Sequence, residues 1–300
     1  MLLKTNFGIQ TSLDEKRDKM LIIKVFIIFL LVLPSLSFAE DNVTGFDTKR
    51  LYESKDFALG VGVGLVKFDT NLKTTSKTGG RSIFLDIEGN LNLPEVATVY
   101  SFYGAYRFNN NHSILMNYFS VKRSSKALSI DETFGDTVTI NANIDVQDRS
   151  KFFNLSYGYN LFRNKASTVT LIAGLNAMNL AYRIDIKGSL TVDGKLVSEG
   201  RLFDENLFVP LPLIGLNFRY NYSKDFAVST NVSFVAGAYK NVTAGILQSS
   251  FNTMYNITDY FSLLLGITYF DADIRIEDEK LEHKIIYGYK GVTAGLYFAF

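Results

Sequence analysis

From Phe57 the chain alternates strictly. Phe57, Leu59, Val61, Val63 and Leu65 share one face, and Ala58, Gly60, Gly62 and Gly64 the other. A period of two is that of an extended strand, whose successive side chains point to opposite sides. The pattern returns along the chain. Leu155, Tyr157, Tyr159 and Leu161 oppose Asn154, Ser156, Gly158 and Asn160; Val169, Leu171, Ala173, Leu175 and Ala177 oppose Thr170, Ile172, Gly174, Asn176 and Met178. Ile214 to Tyr222 and Phe226 to Phe234 repeat it. In a water-soluble sandwich the second face would carry lysine and glutamate, whereas here it carries mostly Gly, Ser, Thr and Asn, which suit a crowded, hydrogen-bonded interior. The apolar face ends in aromatics near the turns, as in Tyr220 and Tyr222 before Ser223-Lys224-Asp225, the place of a ring at a headgroup boundary. A sheet facing hydrocarbon cannot leave an edge of unpaired N–H and C=O groups, so these strands are expected to close on themselves.

Connection lengths set the direction of the strands. Short turns are expected at Asn109 to His112, Arg163 to Ser167, Ser223 to Asp225 and Thr258 to Tyr260, with longer polar loops near 70–80, 123–149, 183–206 and 271–284. Short turns on one side and long loops on the other are the periplasmic and extracellular asymmetry of outer-membrane barrels. The expected fold is all-β, a closed antiparallel up-and-down transmembrane barrel of about ten strands over residues 57–300, with eight or twelve as alternatives. Residues 81–94 are the ambiguous stretch: a loop hairpin, the upper part of the second strand, or an extra pair.

Ahead of the barrel, Met20 begins a short positive segment followed by an apolar run from Val25 to Leu33, Pro34, and small residues at Ser37 and Ala39. That is a signal peptide with cleavage expected between Ala39 and Glu40, Met20 as the expected start, and 40–56 as a periplasmic lead-in. With 47% hydrophobic residues and 20% charged ones, disorder is excluded. The formal charge of +1 offers no footprint for nucleic acid. Cysteine is absent and histidine occurs twice, which leaves little for metal or thiol chemistry, and no cofactor is expected.

The last strand reads Gly291-Val-Thr-Ala-Gly-Leu-Tyr-Phe-Ala-Phe300, with Leu296, Phe298 and Phe300 on one face. A terminal Phe on an alternating strand resembles the signal that outer-membrane barrels present to the insertion machinery of Gram-negative bacteria. The resemblance implies an outer-membrane location, with lipid, lipopolysaccharide and that machinery as partners. The segment Asp86-Ile-Glu-Gly-Asn-Leu-Asn-Leu-Pro94 followed by Tyr106-Arg-Phe-Asn109 resembles a group of small proteobacterial barrels carrying D-L-E-x-x-L-G-L-P before Y-R-F-N, with Asn92 standing where that pattern has Gly. This likeness implies architecture and no activity.

Two chemistries are weighed. Inward positions Asn154, Ser156, Asn160, Asn217, Asn231, Gln248 and Asn252, with Arg107 and Arg219 near the short turns, would line a polar lumen. The lumen either passes small neutral polar solutes or is filled by amides bonded to one another, since a barrel of about ten strands is narrow. Arg107 and Arg219 would narrow a mouth or pair with inward carboxylates. The alternative is a rim hydrolase resembling the aspartyl-type outer-membrane proteases, with Asp271, Asp273 and His283 at the last loop. His112 is expected as a solvated turn residue, with no outward-facing histidine at the membrane edge. Closure would bring Lys73, Lys77 and Arg81 toward Glu277-Asp278-Glu279.

Overall fold

The computed structural model describes residues 56–300 apart from 78–81, 135–137, 165, 193–194, 278 and 280. The expected cleavage at Ala39 and Glu40, and the segments 1–39 and 40–55, lie outside the described residues. The strands are β1 (Phe57–Ser76), β2 (Ser82–Asp86), β3 (Val96–Arg107), β4 (His112–Val121), β5 (Arg123–Phe134), β6 (Val138–Asp148) and β7 (Lys151–Arg163). They continue as β8 (Ser167–Val192), β9 (Lys195–Asn221), β10 (Phe226–Tyr239), β11 (Val242–Asn256), β12 (Phe261–Glu277) and β13 (Leu281–Ala299). One short helix, α1 (Ile87–Leu91), follows β2.

Ten strands form a ring, each antiparallel to its neighbours, in the order β1-β3-β4-β7-β8-β9-β10-β11-β12-β13. β13 pairs back onto β1 from Ala299 opposite Ala58 to Leu281 opposite Ser76, so the ring has no free edge. At the seam the Phe57 N–H donates to the Phe300 carbonyl at 3.0 Å and the Phe300 N–H to the Phe57 carbonyl at 2.9 Å. The fold is the closed up-and-down barrel of ten strands. Both ends of the barrel chain and the short turns lie at one end, the lower end; the long hairpins rise at the other.

Above the ring the wall is continued by three further strands. β2 pairs β1 from Asn71 to Thr75, beyond the part that β3 covers. β6 pairs β8 from Tyr182 to Val192, beyond the part that β7 covers, and carries β5 on its other edge. Of the readings of 81–94, the loop hairpin is therefore the one adopted. The stretches 123–149 and 183–206, expected as polar loops, are largely paired strand, because long hairpins keep their ladders well past the membrane boundary.

The α1 segment shows what its motif does. Asp86 caps the helix by accepting from the Gly89 N–H at 2.8 Å, and Ile87 and Leu93 are buried. Asn92 has φ 52°, a left-handed conformation in which its N–H donates to the Ile87 carbonyl. Glycine and asparagine are the residues that enter this region most readily, which is why Asn92 serves where the resembling pattern has Gly.

Candidate functional site

The interior of the barrel is built in two storeys, and on β1, β7, β12 and β13 the outward face changes character at the same height. In the lower storey the outward face is apolar, with Val61, Leu65, Leu155, Ile214, Ile267 and Val292 all exposed. One or two steps higher the outward residues are charged: Lys67, Lys151, Asp271 and Lys290. Inside, the order is reversed. Gly64 gives way to Val66 on β1, Ser101 to Val99 on β3, Asn117 to Phe119 on β4, Asn154 to Phe152 on β7 and Thr268 to Phe270 on β12. Aromatic residues ring the lower edge, among them Tyr106, Phe108, Tyr222, Tyr255, Tyr260 and Phe298. An outward apolar band about nine residues tall, edged by rings and closed without an edge, defines the bacterial outer-membrane class of β-barrel.

The upper storey is a packed core. Phe68, Phe119, Phe152, Phe270, Tyr287 and Tyr289 lie against one another, with the Phe270 and Tyr289 rings stacked at 4.8 Å and 3° and those of Phe119 and Tyr289 at 5.0 Å and 12°. Val66, Val99, Met178, Leu180, Val209, Leu211, Val235 and Ile274 complete it, each under 3% exposed. The polar lining does not continue to this height, because above the membrane boundary water lies outside the wall and apolar side chains turn inward.

Beside the core sits a fully buried charge cluster. Arg123 donates to Glu88 at 2.5 Å and to Asp148 at 3.0 Å, and its guanidinium lies 4.0 Å from the Phe68 ring centroid. Glu88 also accepts from the Thr70 N–H at 2.7 Å, and Asp148 from the Ser150 hydroxyl at 2.5 Å. Burial pushes the Asp148 carboxyl above the ordinary carboxylate range, although Arg123 and Ser150 pull it the other way. The cluster joins α1, β1, β5 and β6.

Directly beneath the core an amide layer crosses the lumen. Asn176 Nδ2 donates to Asn154 Oδ1, Asn154 Nδ2 to Gln248 Oε1 at 3.4 Å, and the Ser233 hydroxyl to the same Gln248 oxygen at 3.4 Å. Asn154 on β7 and Gln248 on β11 are separated by three strands of the wall, so this link spans the interior. Against it lies a chamber of about 360 Å³ lined by Asn154, Ser156, Asn217, Arg219, Asn231, Gln248 and Asn252 and, toward the core, by Val99, Phe119, Phe152 and Tyr289. A second cavity of about 170 Å³ at the lower mouth is lined by Arg107, Asn160, Asn217, Arg219 and Asn231. Each lumen position expected from the sequence thus lines one cavity or both. Sequence reasoning passed over Arg163, which also lines the mouth, and the aromatic pair Tyr103 and Tyr297 in the chamber wall, with centroids 5.0 Å apart.

The remaining candidates separate. On β12 the inward residues are Phe270, Ala272 and Ile274, so Asp271 and Asp273 face outward, and Asp273 pairs with Lys284 at 2.8 Å. His283 lies on the inward-facing side of β13 with Ile285 and Tyr287, its Nδ1 3.0 Å from the Thr74 hydroxyl. The three residues of the hydrolase alternative therefore stand on opposite sides of the wall. His112 opens β4 instead of lying in a turn, and it faces outward at the lower edge between Tyr157, to which it hydrogen-bonds, and Tyr159. Lys77 and Glu277 meet at 3.5 Å across the seam, so closure does bring these two loops together. Among the described residues no group of three His, Asp or Glu side chains is placed to hold a metal ion.

No protein-family model matches the chain, and neither does any curated protein. Solved structures similar to it include the outer membrane protease OmpT from Escherichia coli, at 12% identity over 81% of this chain and 97% of that one with a TM-score of 0.47. OprG from Pseudomonas aeruginosa is 10% identical over 82% and 97%, with a TM-score of 0.36. The translocator domain of the autotransporter NalP from Neisseria meningitidis is 11% identical over 80% and 88%, also with a TM-score of 0.36. None of these likenesses bears on activity.

Proposed function

We propose that this chain is a non-enzymatic protein of the bacterial outer membrane, a surface barrel with a closed lumen. The observation that carries this reading is the stack of Phe119, Phe270 and Tyr289 with Phe152, lying across the interior directly above the amide layer. A solute entering from below meets side-chain-to-side-chain packing at the height where a channel needs a constriction lined by water. The separation of Asp271 and Asp273 from His283 supports the non-enzymatic half of the reading, since an acid and a base must reach one substrate. The apolar band meets lipid, and the outward lysines at its upper boundary, Lys67, Lys151 and Lys290, suit the phosphates of lipopolysaccharide. Leu296, Phe298 and Phe300 stand exposed at the lower edge, accessible to the insertion machinery. Recording from the refolded chain in a planar bilayer tests the closed lumen: a silent membrane with verified folded protein is expected, and stable unitary current steps would overturn it.

A further inference from the structure

We propose that the chamber beneath the core is a binding site for a small uncharged ligand with hydroxyl groups at one end and an apolar ring at the other, entering from the periplasmic side. The chamber has two kinds of wall. Toward the core it is closed by Phe119, Phe152 and Tyr289, with Leu115, Ile172 and Leu213 beside them. The rest carries amides from separate strands: Asn117 on β4, Asn217 on β9 and Asn231 on β10. Asn217 and Asn231 are direct cross-strand partners, so these two amides stand side by side, and both also line the mouth below. In the amide layer Asn154, Asn176 and Gln248 bond one another. By contrast, among the described residues the amides of Asn117, Asn217 and Asn231 and the Tyr289 hydroxyl have no hydrogen-bond partner. Asn117 faces inward and is nevertheless exposed, because what it faces is open chamber. A carboxamide offers two donors and an acceptor with two lone pairs, the complement of a hydroxyl, which gives and accepts at once.

The chemistry of the wall selects against charge. Among the described lining residues there is no carboxylate and no lysine, and the one charged group, Arg219, already donates to Asn221 Oδ1 at 3.0 Å and has a further interaction. An ionic ligand would lose its water there without gaining a counter-ion. Room for the ligand is made where β1 and β13 meet, by Gly60, Gly62 and Gly295. A Cβ at Gly60 would come within 2.9 Å of the Tyr297 ring, and one at Gly62 within 2.5 Å of Ser101 Oγ. Glycine lets these neighbours lie close against the wall and leaves the centre open. The volume of about 360 Å³ lies within the range of small-molecule sites. The way in is the second cavity, which Arg163 reaches because the register of β7 on β8 slips by one residue between Asn160 and Phe162. The core above makes the chamber blind, so the site retains a ligand that a through-channel would release; in this respect alone it rests on the closed-lumen reading.

Calorimetric titration of the full chain, refolded in a zwitterionic detergent, with phenyl β-glucoside, glucose and phenyl phosphate tests the proposal, with empty micelles titrated alongside to subtract partitioning. Phenyl β-glucoside is expected to bind at least about tenfold more tightly than glucose, the scale of burying a ring against Phe119 and Phe152, and at least about tenfold more tightly than phenyl phosphate, which brings the same ring with a charge. Asn217→Leu with Asn231→Leu is expected to weaken phenyl β-glucoside binding about tenfold, the scale of one or two neutral hydrogen bonds, while Lys73→Gln, on the outer face at the opposite end, keeps it. Equal affinity for phenyl β-glucoside and glucose, tighter binding of phenyl phosphate, or undiminished binding in the asparagine double variant overturns the proposal. If the double variant gives no folded barrel, Asn117→Leu is measured against the same outcomes. Binding and conductance are separate measurements, so a current-carrying barrel that still prefers the uncharged glucoside would overturn the closed lumen and leave the chamber site standing.

Discussion

The same ring of strands encloses two interiors of opposite polarity, one above the other. In the lower half the greasy side chains of β1, Val61, Val63 and Leu65, point out and three glycines point in; two residues later Lys67 and Asp69 point out and Val66 and Phe68 point in. Strand geometry is continuous across the change, since Lys67 still faces Lys290 in the register that pairs Leu65 with Val292. What changes is the surrounding medium. Below, lipid accepts apolar surface and the interior must satisfy polar groups. Above, water surrounds the wall and the hydrophobic effect drives the usual core inside.

Several substitutions would break or sharpen this contrast. The largest effect is expected from Arg123→Met in the upper half, which leaves Glu88 and Asp148 buried without their cation and should cost about 3–5 kcal/mol in urea unfolding from micelles. Phe270→Ala should cost a similar amount, about 3–5 kcal/mol, and should also let ionic current through the lumen by removing one ring of the stack. Phe251→Ala on the outward face of the neighbouring strand should keep the bilayer silent. In the lower half Val61→Arg should cost about 2–4 kcal/mol by placing a charge on the lipid face, while Asp271→Arg, outward on the wet half, should leave the unfolding midpoint nearly unchanged. Gly174→Ala should cost about 1–3 kcal/mol, because a Cβ there would overlap the Leu155 carbonyl of the adjacent strand.

The smallest effect concerns pH. Because burial raises the Asp148 pKa in the fold above its ordinary 3.8, the folded state holds that proton more tightly than the unfolded chain. Stability from this group is therefore greatest below the ordinary value and falls as pH rises from there through the raised one. Asp148→Asn should flatten that part of the profile in unfolding midpoints taken from pH 4 to 7. At the surface, Glu95→Gln breaks the 2.7 Å pair with the exposed Lys67 and should leave the midpoint unmoved.

How much of this could be seen along the chain varies with the distance between the residues involved. The band, the turns and the closure follow from alternation within single segments, and the lumen positions Asn154, Ser156, Asn217 and Gln248 follow from the same parity. The inversion between Leu65 and Val66 is also written locally. It goes unnoticed when every strand is assumed to face one medium along its whole length. His112 was misplaced by a residue or two at a turn, enough to take it out of the outward row. Arg163 was passed over because a single extra residue in β7 reverses the parity on which inward and outward were assigned.

Parity, aromatic edges and turn spacing lie in near neighbours, and from them the chain's own order specifies a closed wall of about ten strands with a lipid-facing band. Which side chains meet inside is a matter of three dimensions. The link from Asn154 to Gln248 joins residues 94 positions apart, and the arginine cluster joins Glu88, Arg123 and Asp148 from three separate elements. Only closure of the ring, with its fixed stagger between strands, decides which of the inward residues share a height, and so turns a row of polar and apolar positions into a chamber with a lid.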